Sequence, residues 1–310
     1  MLSLSNRNNE EVPQWAGFFS KEEYNAFLNE LAGYFQSKGL SPVLDGSAVK
    51  LEGGEFGAQQ LGLTNVAQVC KQRGLADYKE AIAAHFEAME RGELFRKEFE
   101  KIAGTYEKVK PYIGVRLYPQ HYMDNLPKGI FIGKPFAGDM YAMLIFDMPD
   151  TITNIKPEQA EQWSKTFDDL FDVAVRNTKA NNPVEISPFD FGEFRIWFAE
   201  ADHFFVPNIL FELDNRPDLV GEYGALVGVP HRHAALIYPI NGIEIIKAVN
   251  DLIPAIHGMY REGPGSLSPS LLWYHRGKFI GLPYEIDEQN LKFSPPAAFV
   301  ELLNDLAEKG

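Results

Sequence analysis

Residues 223–239 read Tyr-Gly-Ala-Leu-Val-Gly-Val-Pro-His-Arg-His-Ala-Ala-Leu-Ile-Tyr-Pro, two apolar runs around a polar break at Pro230, His231, Arg232 and His233. Each run is short, rich in Val, Leu, Ile and Ala, and bounded by residues that favour turns, as a buried strand requires. So short a break predicts an antiparallel hairpin. It also sets two imidazoles and a guanidinium where that buried strand pair reaches the surface.

Working outward, a helix opens near Asn241 and Glu244, with Ile245, Val249, Leu252, Ile253 and Ile256 as its inner stripe. Pro254 falls inside it and is expected to kink it or end its regular part, because proline lacks the N–H of the ladder. A last hairpin is predicted from 271–274 and 278–282 around Arg276-Gly277. A terminal helix follows Ser294-Pro295. Upstream lie a near-continuous apolar strand over 140–148, a long helix over 157–178, a strand over 194–200 and a short helix near 207–213. Shorter strands are predicted over 112–118 and 130–132.

The N-terminal part is mostly helical. Ser20 and Glu23 have the spacing of a capping box, in which each side chain bonds an orphan backbone N–H. Tyr24, Phe27, Leu28, Leu31 and Phe35 follow on one helical face, and Gly39 ends the pattern. A small hairpin is predicted over 42–52 at Asp45-Gly46, with helices over 64–73, 77–89 and 93–109. The fold class is therefore α+β: mostly antiparallel sheet flanked by helices, with a helix-rich N-terminal portion. The Pro- and Gly-containing stretch 119–136 divides a helix-rich 1–118 from a mixed 137–310, unless the chain forms one compact body.

Composition narrows the function. The 310 residues carry 29 Lys and Arg against 43 Asp and Glu, a formal charge of −14. A surface so acidic repels phosphate backbones and anionic headgroups, so nucleic acid and membranes are not expected partners, whereas a basic protein or a cation is. No uncharged apolar run approaches ~20 residues, so no spanning helix is expected. With one cysteine, Cys70, and no charged-then-apolar leader before residue 15, a cytoplasmic setting is expected. The oligomeric state is open.

Three groups of residues have the chemistry for a site. His231 and His233 would point the same way if Pro230-His231 were the turn, and with His203 and Asp202 or Asp147 they could hold a divalent metal. The spacing matches no established metal motif, and solvated turns accept His and Arg without any function. Asp139, Asp147 and Asp150 flank the apolar strand, where catalytic carboxylates often sit, but Asp also favours turns through local hydrogen bonding alone. Cys70 lies late in its helix, the wrong end to stabilise a thiolate, so a buried structural thiol is expected. The aromatic stretch 189–205 reads either as core or as the lining of a small-ligand pocket. No phosphate loop or nucleophile elbow is present: Gly129-Ile-Phe-Ile-Gly133-Lys134 is followed by Pro135, where a P-loop needs Ser or Thr.

Several segments together resemble the YtpQ-like family of uncharacterised bacterial proteins, a domain of unknown function. They are Leu61-Gly-Leu-Thr-Asn-Val-Ala, Ala137-Gly-Asp-Met, Asp168-Asp-Leu-Phe-Asp-Val-Ala-Val-Arg-Asn, Val227-Gly-Val-Pro-His-Arg-His-Ala-Ala-Leu-Ile and Ser268-Pro-Ser-Leu-Leu-Trp-Tyr. The resemblance implies a hairpin that keeps a Pro-x-Arg core and usually carries an acidic residue where this chain has His233. That departure argues against an inherited two-histidine metal site and singles out Arg232. The family brings no activity or cofactor with it.

The leading expectation is a non-enzymatic interaction protein whose acidic surface captures a partner, in a toxin-neutralising or adaptor role. The alternatives are a metal-dependent hydrolase built on His231, His233, His203 and a carboxylate, and a small-ligand binding module.

Overall fold

The computed structural model describes residues 2–3, 11–51, 60–127, 129–286 and 291–309. Contacts divide the chain into two units, Met1–Ala103 with Met148–Ile152, and Gly104–Asp147 with Thr153–Gly310. The division falls at residue 103 and not over 119–136, which lies inside the second unit and carries a helix and a strand of its own.

In the first unit, strands β1 (Leu2–Ser3), β2 (Val43–Asp45), β3 (Ala48–Lys50) and β4 (Gln60–Gly62) form an antiparallel sheet in that order. Gly46 turns β2 into β3 at φ +58°, a conformation that disfavours residues with a Cβ. Helix α1 (Lys21–Ser37) starts at the expected capping box: Glu23 N–H donates to Ser20 Oγ at 3.2 Å, and Ser20 N–H to Glu23 Oε2 at 2.6 Å. Its stripe of Tyr24, Phe27, Leu28, Leu31 and Phe35 is buried in one core with Cys70 of α2 (Thr64–Arg73) and Tyr78, Ile82 and Phe86 of α3 (Tyr78–Glu100). Each such large side chain contributes about 1.5–3 kcal/mol by leaving water.

The sequence predicts two helices where α3 is a single one of 23 residues. Gly92, the residue that most favours a break, has a packing role instead. A Cβ there would lie 2.8 Å from both Asp150 O and Thr151 Cβ, so glycine lets that turn approach the helix.

The second unit opens with α4 (Tyr106–Val109), strand β5 (Ile113–Pro119) and α5 (Gln120–Asp124). Strands β6 (Gly133–Ala137) and β7 (Met140–Met148) follow, and the sheet order is β5-β7-β6, antiparallel throughout. After the short β8 (Thr151–Asn154) come α6 (Pro157–Gln162) and α7 (Phe167–Asn181), two helices where periodicity predicts one. Ser164 takes φ +54°, and Thr166 with Asp169 forms a fresh capping box that restarts the chain at α7. Residues 130–132 are not a strand; the pairing is taken by β6 just beyond them.

The main sheet is built from β9 (Glu185–Phe191), β10 (Phe194–Glu200), β11 (Ala225–His231), β12 (Ala234–Pro239), β13 (Leu271–His275) and β14 (Lys278–Leu282). Their order is β14-β13-β11-β12-β10-β9, every pair antiparallel. The quoted hairpin, β11 and β12, therefore occupies the middle. A 3₁₀ segment, Val206–Asn215, links β10 to β11. Helix α8 (Ile245–Glu262) covers one face of the sheet with Ile245, Val249, Leu252, Ile253 and Ile256, all buried, and runs on through Pro254. A small ribbon of β15 (Tyr284–Ile286) and β16 (Leu291–Phe293) precedes α9 (Ala297–Lys309), whose Phe299, Leu302 and Leu306 complete that core.

The tip of the hairpin is not regular. Gly228 pairs with Leu236 and His231 with Ala234, so β11 carries one more residue than its partner over that interval, a β-bulge at Val229-Pro230. Proline survives in a central strand because a bulge asks for no N–H there. The two turn residues are Arg232 and His233, two positions later than the Pro230-His231 turn read from the sequence.

Candidate functional site

The bulge decides where the tip side chains go. Leu226 and Gly228 face α8; a Cβ on Gly228 would meet Ile256 Cδ1 at 2.2 Å. The extra residue puts His231 on that same face, where its ring lies against Gly263, just past α8. Arg232 is left on the opposite face. The tip thus has an imidazole side and a guanidinium side.

On the imidazole side, His231, His233 and His203 line a cleft of about 550 Å³ with Glu185, Glu200 and Asp202. The rings of His231 and His233 are 6.4 Å apart. Their hydrogen bonds fix which nitrogen is which. His233 N–H donates to His231 Nδ1 at 3.3 Å, so the ring hydrogen of neutral His231 is on Nε2. His233 Nδ1 donates to Ala201 O at 3.2 Å, leaving its lone pair on Nε2. His203 is committed at both ends: Nδ1 accepts from Phe205 N–H at 3.2 Å and Nε2 donates to Pro183 O at 2.9 Å. Burial, with help from His233 and Arg232, pushes the His231 pKa down to about 4, and burial lowers that of His233 as well.

A metal needs a lone pair from each ring, and the Nδ1 atoms of His231 and His203 already accept backbone N–H groups, while His203 Nε2 donates to Pro183 O. Among the described residues, no group of three or more His, Cys, Asp or Glu is arranged to hold a metal ion. The metal set weighed as an alternative, His231, His233, His203 and a carboxylate, is not assembled among the described residues. The three rings do line one cleft, with the turn two residues further on than Pro230-His231.

On the guanidinium side, Arg232 lies against Gly265: a Cβ on that residue, which has φ +69°, would fall 1.6 Å from Arg232 Nε. Arg232 N–H donates to Gly265 O at 3.2 Å. Burial, and then the charge of Arg116 from β5, bring the Arg232 pKa down to about 10, with Tyr118 opposing. Arg116 stacks its guanidinium on two rings, 4.7 Å from the centre of Tyr118 and 4.5 Å from that of Phe204. Its Nε is buried and has no hydrogen-bond acceptor among the described residues.

The three strand-end carboxylates do not converge. Asp139 accepts from Ser268 Oγ, and from Ser270 Oγ at 3.1 Å. Asp147 accepts from Asn182 Nδ2 at 2.9 Å, and burial raises its pKa. Asp150, in the first unit at φ +60°, takes Arg91 in a two-pronged ion pair at 2.8 and 3.3 Å. Each has a local structural task. Cys70 is buried and its thiol is pushed up to about 12 by that burial, so it is inert at neutral pH. Within the aromatic stretch 189–205, Phe205 is core, Phe189 is half exposed, and Phe198 lines the imidazole cleft.

A larger cleft, about 710 Å³, escaped the sequence reading. Its wall is a chain of rings from five elements: Phe171 (α7), Phe211 (the 3₁₀ segment), Phe136 (β6), Phe279 (β14) and Tyr274 (β13). Successive centres are 5.3, 4.6, 5.4 and 4.9 Å apart. Tyr274 Oη donates to Asp214 Oδ1, and burial, that bond and the Asp214 charge all raise the tyrosine pKa. Arg176 and Lys278 stand at the exposed rim. The only local signal was the Arg276-Gly277 turn, whose φ values of +50° and +74° pair Tyr274 with Phe279 across the hairpin.

No protein-family model, curated protein or solved structure matches this chain. No helix among the described residues is long and apolar enough to cross a membrane.

Proposed function

We propose that the protein is a non-enzymatic small-ligand binding module, and that the aromatic cleft is its site. The observation that carries this reading is the cleft itself. Four phenyl rings remain only partly buried around about 710 Å³ of space, with a carboxylate held at one end. Clefts of ~300–1,000 Å³ with an apolar lining and a few placed polar groups are the usual form of a small-molecule site. The rings favour a flat ligand. Asp214, with one oxygen occupied by Tyr274, offers the other to an N–H or O–H donor, and Arg176 and Lys278 suit an anionic substituent at the rim. An amino-substituted heteroaromatic ring with an acidic tail meets all three demands. The acidic surface acts elsewhere, as the face a basic partner would meet, in the cytoplasmic setting expected from the sequence.

The test is a thermal-shift and calorimetric screen of the full chain against heteroaromatic acids, nucleosides and nucleotides. A saturable binder should lose affinity at least tenfold in Phe211→Ala and several-fold in Asp214→Asn. Binding that is unchanged in both variants, or no saturable binder in the panel, would sink the reading.

A further inference from the structure

The row of rings does not end at Phe171. That ring stacks on Phe167, the first residue of α7, with centres 5.3 Å apart and planes 23° apart. Phe167 in turn lines a smaller cleft of about 350 Å³ together with Phe131, Tyr141 and Lys165, with Glu161 at its exposed edge. Two local features build this second space. Ser164, at φ +54°, interrupts the helical pattern between α6 and α7, so Lys165 and Phe167 fall where one helix gives way to the next. At Gly133 a Cβ would lie 2.5 Å from both Tyr141 Cε1 and Ala142 O, so glycine is what lets the Tyr141 ring lie over β6. Phe131 meets that ring edge to face, centres 6.0 Å apart. Lys134 stands between the two clefts: its Nζ is 4.6 Å from the centre of Phe167 and 5.0 Å from that of Phe171.

We infer, resting on the aromatic cleft as the ligand site, that this smaller cleft is a second subsite of it and that the ligand is of the dinucleotide class, two flat ring systems joined by an anionic linker. The first ring lies in the aromatic cleft beside Asp214, the second against Phe131 and Tyr141, and the linker crosses Lys134. Two steps of 5.3 Å separate Phe211 from Phe167 through Phe171, within the reach of a sugar–diphosphate linker. The charge along this path is complementary to such a linker. In a chain with 14 more acidic than basic residues, Arg176, Lys278, Lys134 and Lys165 all stand at the two clefts or between them. Asp168 reaches Lys134 at 3.6 Å, but its carboxylate is 88% exposed, and an ion pair so solvated is weak enough for a diphosphate to displace. Resting on two ring faces, the ammonium is held in place and keeps its charge. A single-ring ligand would leave both Lys134 and the smaller cleft unused.

The experiment is isothermal titration calorimetry of the full chain with AMP, ADP and diadenosine diphosphate. ADP carries the diphosphate without the second ring, so it separates charge from the subsite. The expected result is that diadenosine diphosphate binds at least tenfold more tightly than ADP, because its second contact is intramolecular. That advantage should fall below about threefold in Phe131→Ala, where the second contact is lost. Lys134→Gln should weaken both diphosphates several-fold more than it weakens AMP. Equal affinities for ADP and the dinucleotide, an advantage that survives Phe131→Ala, or no binding of any of the three overturns the inference. Should Phe131→Ala fail to fold, photolabelling of the wild-type chain with the bis-azido dinucleotide, read by peptide mass spectrometry, replaces it. Labels should then fall on peptides of both clefts, and labels confined to one overturn the inference. ADP binding that Phe211→Ala weakens, with no gain from the second ring, leaves the aromatic-cleft reading standing while this one falls. Nucleotide binding indifferent to Phe211→Ala sinks both.

Discussion

The hairpin tip and the aromatic cleft are built in opposite ways. The tip draws its three conspicuous side chains from consecutive residues, His231, Arg232 and His233, and then separates them onto two faces. The cleft draws five rings from five separated elements and brings them into one continuous wall. The tip is crowded, with Gly263 and Gly265 giving way to His231 and Arg232, whereas the cleft is open and Gly277 beside Asp214 has ordinary clearance of 3.4 Å. Adjacency in sequence did not give a common site, and distance in sequence did not prevent one.

The sharpest way to break this contrast is to add one methyl group to each region. Gly265→Ala combines a left-handed φ, worth about 1–2 kcal/mol, with a collision against Arg232, and should cost about 3 kcal/mol in urea unfolding. Gly277→Ala also has a positive φ but meets no close atom and should cost only about 1 kcal/mol. Equal losses would mean that the tip is not crowded.

Acid should separate the regions next. His231 is held neutral with a folded pKa near 4 against 6.5 for the free side chain, so the unfolded chain binds more protons between those values. Stability from this group is therefore full above pH 6.5 and is lost as pH falls, by about 2 kcal/mol between pH 7 and pH 5. Chemical denaturation at both pH values should show that slope in the wild type and a flatter one in His231→Gln. Identical slopes would mean that His231 is solvated.

In the cleft, Phe211→Ala should cost about 2 kcal/mol, below the ~3–5 expected for a fully enclosed phenylalanine, because one side of the ring already faces water. A loss near 5 kcal/mol would make the wall a closed core. The smallest effect belongs to Asp214→Asn. It removes a charged acceptor, at about 1 kcal/mol, and should move the Tyr274 hydroxyl titration to lower pH in ultraviolet absorbance. An unmoved titration would place Asp214 outside the influence assigned to it.

What could be read from the sequence follows from the range of the forces involved. The α+β class, the antiparallel hairpins and the stripes of α1 and α8 depend on side-chain periodicity along a few turns of chain, and residues such as Tyr24, Phe27 and Ile253 announce it. The splitting of 157–178 at Ser164 was visible only as Thr166 and Asp169 at capping spacing inside a stronger helical pattern. The fusion over 78–100 was hidden because Gly92 looks like a breaker until Asp150 is seen against it. At the site, the shared imidazole cleft follows from local geometry, but the metal reading failed on hydrogen bonds to Ala201, Pro183 and Phe205, which no spacing rule contains. The aromatic cleft and Arg116 needed the tertiary fold, since single Phe residues at 136, 171, 211 and 279 carry no mutual signal.

The extra residue in β11 has a further consequence. Strand side chains alternate with a period of two, so a length change of one residue inverts every face beyond it. Strict alternation through all the residues after Gly228 would put Arg232 beside α8 and His231 toward β5. The bulge at Val229-Pro230 absorbs the extra residue and keeps His231 opposite Ala234 on the α8 face. The electrostatic sign of each surface at this tip is thus a matter of parity, and losing one of the two bulge residues would straighten the strand without exchanging the imidazole and guanidinium faces.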